Sequence, residues 1–104
     1  MEIICEAIRK RRLIEFQYEE HLRIVEPQIL GKNKASNMIL SAWQVGGHTE
    51  SGSRLPWRDY QIVKFSKLKV LEEKFDGPRP GYVKGGGKKF SRVFCEVKED
   101  LRKH

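Results

Sequence analysis

The residues best suited to chemistry lie between positions 54 and 64, where Arg54, Trp57, Arg58, Tyr60 and Lys64 interleave cations with flat rings. A guanidinium fork meets a phosphate or carboxylate at two points, and an indole or phenol offers a base a stacking surface. The combination suits a nucleotide or single-stranded nucleic acid. In a strand beginning near Asp59, Tyr60 and Lys64 share a face, and the preceding loop delivers Arg54, Trp57 and Arg58 to its entrance. Tyr18, on the aromatic face of an earlier strand, joins them if that face lines a groove. The plainer reading makes Trp57 and Tyr60 rings at the rim of the core and Lys64 a lysine reaching for water.

Charge supports an anionic partner. Residues 1–52 carry seven basic and seven acidic side chains, whereas residues 53–104 carry fourteen and seven, so the second half supplies the whole net charge of +7. Residues 79–95 hold five cations and no acid. Clustered Lys and Arg attract phosphate and release its counterions. Enzymatic motifs are missing: there is no Gly-x-Gly-x-x-Gly after a strand, no Walker loop, no His-Glu-x-x-His and no Gly-x-Ser-x-Gly. Gly85-Gly86-Gly87-Lys88-Lys89 lacks the spacing of a phosphate loop and reads as a basic linker. The expectation is a binding module that makes and breaks no bond and needs no cofactor.

Cys5 and Cys95 stand at opposite ends of the chain, without Cys-x-x-Cys spacing or a histidine pair, so no metal site is expected and the two read as free thiols in a reducing compartment. No run approaches the roughly 18 apolar residues of a membrane span. A soluble cytoplasmic protein is therefore expected.

The elements that must position these side chains follow from periodicity. Ile4, Ala7 and Ile8 recur at helical spacing over residues 2–11. Ile14, Phe16 and Tyr18 alternate with polar residues as a half-buried strand does, and Glu19-Glu20-His21 turns into a second strand that Pro27 ends or confines to an edge. Met38–Val45, a nearly unbroken apolar run, reads as the central strand, followed by a flexible excursion over 46–53. Strands near 60–65 and 68–72 complete five. With helix 1 capping one end, they imply a mainly β fold, a small Sm-like or SH3-like barrel over residues 1–75. Residues 76–90 read as a Gly/Pro/Lys linker and 91–104 as a C-terminal helical extension, with pairing of Val93–Cys95 as a strand the alternative.

The order of these features resembles the WYL domain family over about residues 3–75. Ala7–Tyr18 is similar to the family's opening helix and first strand, Val25-Glu26-Pro27-Gln28-Ile29-Leu30-Gly31 to its second strand and bend, Trp57–Phe65 to its Arg-rich strand, and Leu68–Glu72 to its last. The naming Trp-Tyr-Leu is replaced by Met38-Ile39-Leu40; Arg58 matches a family arginine, Lys64 stands in for another and Gln61 replaces a third. The resemblance implies a small barrel that senses a nucleotide or nucleic acid and regulates prokaryotic transcription or phage defence. Here it implies a free-standing module whose output passes through a partner or its own C-terminal extension. The competing expectation is a protein-interaction module whose basic half docks an acidic partner or another copy of itself.

Overall fold

The computed structural model describes residues 2–47 and 56–99. An amphipathic helix, α1 (Glu2–Lys10), is followed by β1 (Arg12–Tyr18), β2 (His21–Asn33), β3 (Met38–Gly47), β4 (Trp57–Gln61), a 3-10 turn at Ile62–Lys64, β5 (Phe65–Lys74), a second short turn at Lys84–Gly86 and β6 (Phe90–Glu96). All strand pairs are antiparallel, in the order β4-β3-β2-β1-β5, with β6 also on β2. The middle of the sheet is thus β2, and the apolar run of β3 lies one place out. The path stays open, with β4 and β5 as its two ends, where a closed barrel was expected.

The expected end of the second strand at Pro27 is instead a bend. A register shift falls between Pro27 and Ile29, where a residue without an N–H costs the ladder nothing. Before the bend β2 pairs with β1 (Ile14↔Val25, Tyr18↔His21); beyond it the same edge pairs with β6 (Leu30↔Cys95, Lys32↔Arg92). One edge of the long bent strand thereby serves two partners, while β3 lies along the other. The β1–β2 turn places Glu19 and Glu20 at φ 52° and 68°, the left-handed conformation that a two-residue hairpin demands and that Gly or Asn adopts more cheaply.

The concave inner face carries the core: Ile14, Phe16 and Tyr18 of β1, Val25 and Leu30 of β2, Leu40 and Ala42 of β3 and Tyr60 of β4, roofed by Ile4, Ala7 and Ile8 of α1. A smaller cluster on the outer face joins Ile29, Ile39 and Phe90.

Three expectations change here. Residues 90–96 form a strand, so the alternative pairing of Val93–Cys95 holds and the C-terminal helix is not formed over the described residues. Helical spacing misleads because β6 is irregular, with register shifts on both sides of Gly31 and Lys32 that break the two-residue alternation. Residues 76–90 do not run free: they form a strap across the outer face. The Arg79 guanidinium donates to both Glu26 carboxylate oxygens at 2.7 and 2.6 Å and lies 4.9 Å from the Trp43 ring centroid. Trp57 Nε1 donates to Pro80 O at 2.7 Å, and the Tyr82 hydroxyl to Val97 O at 2.8 Å. Arg11 donates to Asp76 O at the start of the strap and to Lys98 O beyond β6. Finally, Cys5 and Cys95 are not free thiols. They form a disulfide between α1 and β6, with Cα atoms 5.6 Å apart across 90 residues of chain. No helix among the described residues is long and apolar enough to cross a membrane.

Candidate anion-binding site

Cross-strand register decides which side chains meet, because residues directly opposite one another share a face. Tyr18↔His21, Phe16↔Arg23, Val25↔Gln44, Ala42↔Arg58 and Leu40↔Tyr60 all belong to the inner face. Its end away from the apolar residues is therefore polar, built from Tyr18, His21, Arg23, Gln44, Arg58 and Tyr60. Arg23 is 3% exposed; its guanidinium donates to Tyr18 O at 3.3 Å and sits 5.7 Å from the Tyr18 ring centroid. The Tyr60 hydroxyl donates to Gln44 Oε1 at 3.2 Å, and the Tyr18 hydroxyl accepts from Gln61 N at 3.0 Å. Lys64 approaches from the 3-10 turn, 6.0 Å from the Tyr18 centroid and 3.5 Å from the Glu19 carboxylate.

Of the six residues singled out from sequence, the structure brings together Tyr18, Arg58, Tyr60 and Lys64, but in different roles. Tyr60 and Tyr18 are buried, 2% and 8% exposed, and meet edge to face with centroids 5.0 Å apart; Phe16 and Phe65 complete the aromatic cluster. Neither phenol has an open face for a base. Lys64 lies outside β4, because the chain turns at Ile62 and ends the alternation that would have aligned it with Tyr60. Trp57 is separated from the others: Trp43↔Trp57 places it on the outer face, edge to face with Trp43 at 5.7 Å and under the strap at Gly81. Gly81 has φ +90°, and a Cβ there would stand 3.0 Å from the indole nitrogen, so the close approach requires glycine. Arg54 lies outside the described residues.

The residue missed from sequence is Arg23. Its signal was present: in a strand whose inward positions read Arg23-x-Val25, the first inward residue is a cation. Burial pushes the Tyr60 hydroxyl up to about 12, against the pull of the neighbouring Arg23 and Arg58 charges. Burial also raises the Tyr82 hydroxyl, with Glu96 adding to the shift. A phenol held neutral above its unfolded value near 10 contributes stability that is fully present below pH 10 and lost as pH rises toward 12. Absorbance titration at 295 nm should therefore show at least two of the three tyrosines ionising well above pH 10, with the fold loosening as they do. Normal titration of all three would contradict their burial.

The outer face offers a cleft of about 150 Å³ among Ile29, Ser41, Trp57, Tyr82, Lys89 and Phe90. Sites for drug-sized ligands occupy roughly 300–1,000 Å³, so this cleft is too small for a nucleotide. Its Lys89 is moreover paired with Asp59 at 3.0 Å. Larger clefts of about 340 and 310 Å³ lie beside the strap, but Glu26 and Asp76 line one and Glu96 and Glu99 the other; those carboxylates repel an anion, so on charge the polar inner-face end is the better candidate.

Comparison of the chain with protein-family models, curated proteins and solved structures gives no match.

Proposed function

We propose that this protein is a non-enzymatic regulatory module that binds an anionic ligand, a nucleotide or single-stranded nucleic acid, at the inner-face end through Arg58 and Lys64, with the buried charge of Arg23 behind them. The observation that carries the reading is the placement of Arg23 and Lys64 5.7 and 6.0 Å from the Tyr18 ring centroid, with Arg58 on the same face of β4 as Tyr60, whose ring lies 5.0 Å from that of Tyr18. Because the phenols are packed into the core, recognition at this end works through charge and guanidinium forks rather than base stacking. The strand order with a 3-10 turn between β4 and β5 supports reading the sheet as an opened small barrel of the Sm-like or SH3-like kind, in keeping with the WYL-domain resemblance and a role in transcription regulation or phage defence. Disulfides persist mainly in oxidising compartments, so a role in transcription regulation or phage defence requires the Cys5–Cys95 bond to withstand a reducing one.

Fluorescence anisotropy with a short labelled oligonucleotide tests the proposal. Wild type should bind with a steep inverse dependence on salt, and Arg58→Ala and Lys64→Ala should each weaken binding without lowering the melting temperature by more than a few degrees. Equal binding by the variants, or no binding at low salt, overturns it. The second reading, self-association, draws on Leu22 and Val45, 39% and 45% exposed at the same end of the β2–β3 pair. A concentration-dependent sedimentation coefficient without oligonucleotide binding would favour it.

A further inference from the structure

The far end of β2 bears a feature that a free-standing fold does not need. Lys32 of β2 and Arg92 of β6 are paired directly across the ladder, an arrangement of like charges that destabilises a sheet. Lys34 stands in the adjoining β2–β3 turn and Lys88 just before β6, both exposed. None of these four cations has an ion pair among the described residues, unlike Arg79 and Lys89 of the strap. Beside them Phe94 is 37% exposed, with the Arg92 guanidinium 5.1 Å from its ring centroid. The Ser91 hydroxyl donates to Lys32 O and Asn33 O, holding the two strands in register there. Unneutralised cations beside an exposed ring are the elements with which single-stranded nucleic acid is held without regard to sequence.

We infer that Lys32, Arg92 and Phe94, with Lys34 and Lys88 around them, form a second contact surface for single-stranded nucleic acid, so that the partner is a polymer rather than a mononucleotide. The inference rests on the anion-binding reading above and extends it. From Arg23 to Lys32 is nine residues of strand, at most about 30 Å at roughly 3.3 Å per residue. At the ~3.4 Å between phosphates of a stacked strand that is about nine nucleotides, and fewer when the strand is extended. A mononucleotide cannot touch both ends, whereas an oligonucleotide can.

The test uses the full chain with two probes, a nucleoside triphosphate and an oligothymidylate of about twenty nucleotides, against wild type, Arg58→Ala, Arg92→Ala with Lys32→Ala, and Lys32→Glu. The double variant should lower oligonucleotide affinity about twenty-fold near 0.1 M salt and flatten the slope of log K against log salt by about 1.4, as two lost phosphate contacts require. It should leave triphosphate binding unchanged. Lys32→Glu gives Arg92 an opposite charge and should raise the melting temperature while weakening oligonucleotide binding, a split that a purely structural role does not produce. Equal affinity for both probes, or no effect of the double variant, overturns the inference while the Arg58 site stands. Oligonucleotide binding that needs Lys32 and Arg92 but not Arg58 overturns the first reading and keeps the second surface. No binding of either probe to wild type overturns both.

Discussion

Reduction of the Cys5–Cys95 disulfide should be the largest single loss of stability available to this chain. The bond spans 90 residues, nearly the whole sequence, and a cross-link of that span removes about 4.6 kcal/mol of chain entropy from the unfolded state in the loop-closure model, with measured cases of about 2–5 kcal/mol. For a domain of this size each kcal/mol moves the melting temperature by roughly 4–8 °C. A thermal melt with and without dithiothreitol should therefore differ by upwards of about 10 °C, and Cys5→Ser with Cys95→Ser should reproduce the reduced curve. Thiol titration of the folded, unreduced protein should find no free sulfhydryl. Two reactive thiols and superimposable melts would show that the bond does not form, and that α1 and β6 are held together by packing alone.

Breaking the pair between Arg79 and Glu26 should have the next largest effect. The Glu26 side chain is 5% exposed and that of Arg79 40%, so the carboxylate depends on the guanidinium far more than the reverse. Replacing Arg79 with Met leaves a buried carboxylate without its counter-charge. Such losses cost about 3–5 kcal/mol where both groups are buried, and about 2–3 kcal/mol is the discounted expectation for a pair half open to water. The strap should loosen at the same time, because Arg79 also covers Trp43 and neighbours the Pro80 carbonyl that Trp57 engages. Indole fluorescence would report this as a red shift. Adding Glu26→Gln to Arg79→Met should recover part of the loss, since it removes the stranded charge. If the double variant is as unstable as the sum of the singles, Arg79 acts through packing and not through the ion pair.

Much of the fold was legible from short-range pattern. The 3.6-residue spacing of Ile4, Ala7 and Ile8 marks α1, and the alternation of Ile14, Phe16 and Tyr18 marks β1 with its inner face. What escaped depends on contacts distant in sequence. Pro27 reads as the end of a strand because a ladder cannot use it, yet β2 continues past it by changing partners to β6, which lies some 60 residues later. The glycines and prolines of 77–87 have the composition of a linker. They become a strap because Arg79 finds Glu26 and because Gly81 lets Trp57 approach. The cysteines offer no spacing rule across 90 residues. At the candidate site the ring-and-cation composition was visible, but its sidedness was not: Trp57 and Arg58 are neighbours in sequence and therefore face opposite sides of β4. Arg23, a cation on an inward position, was readable only once the inner face was known.

The central claim, that anions are taken up by Arg58 and Lys64 over the buried charge of Arg23, is tested most directly by following the arginine side-chain Nε–H and lysine Hε–Cε signals by NMR as pyrophosphate and then a labelled oligonucleotide are added. Saturable shifts confined to Arg23, Arg58 and Lys64 with pyrophosphate are the predicted result. Shifts spread evenly over the protein's lysines and arginines, or absent from these three, would contradict it.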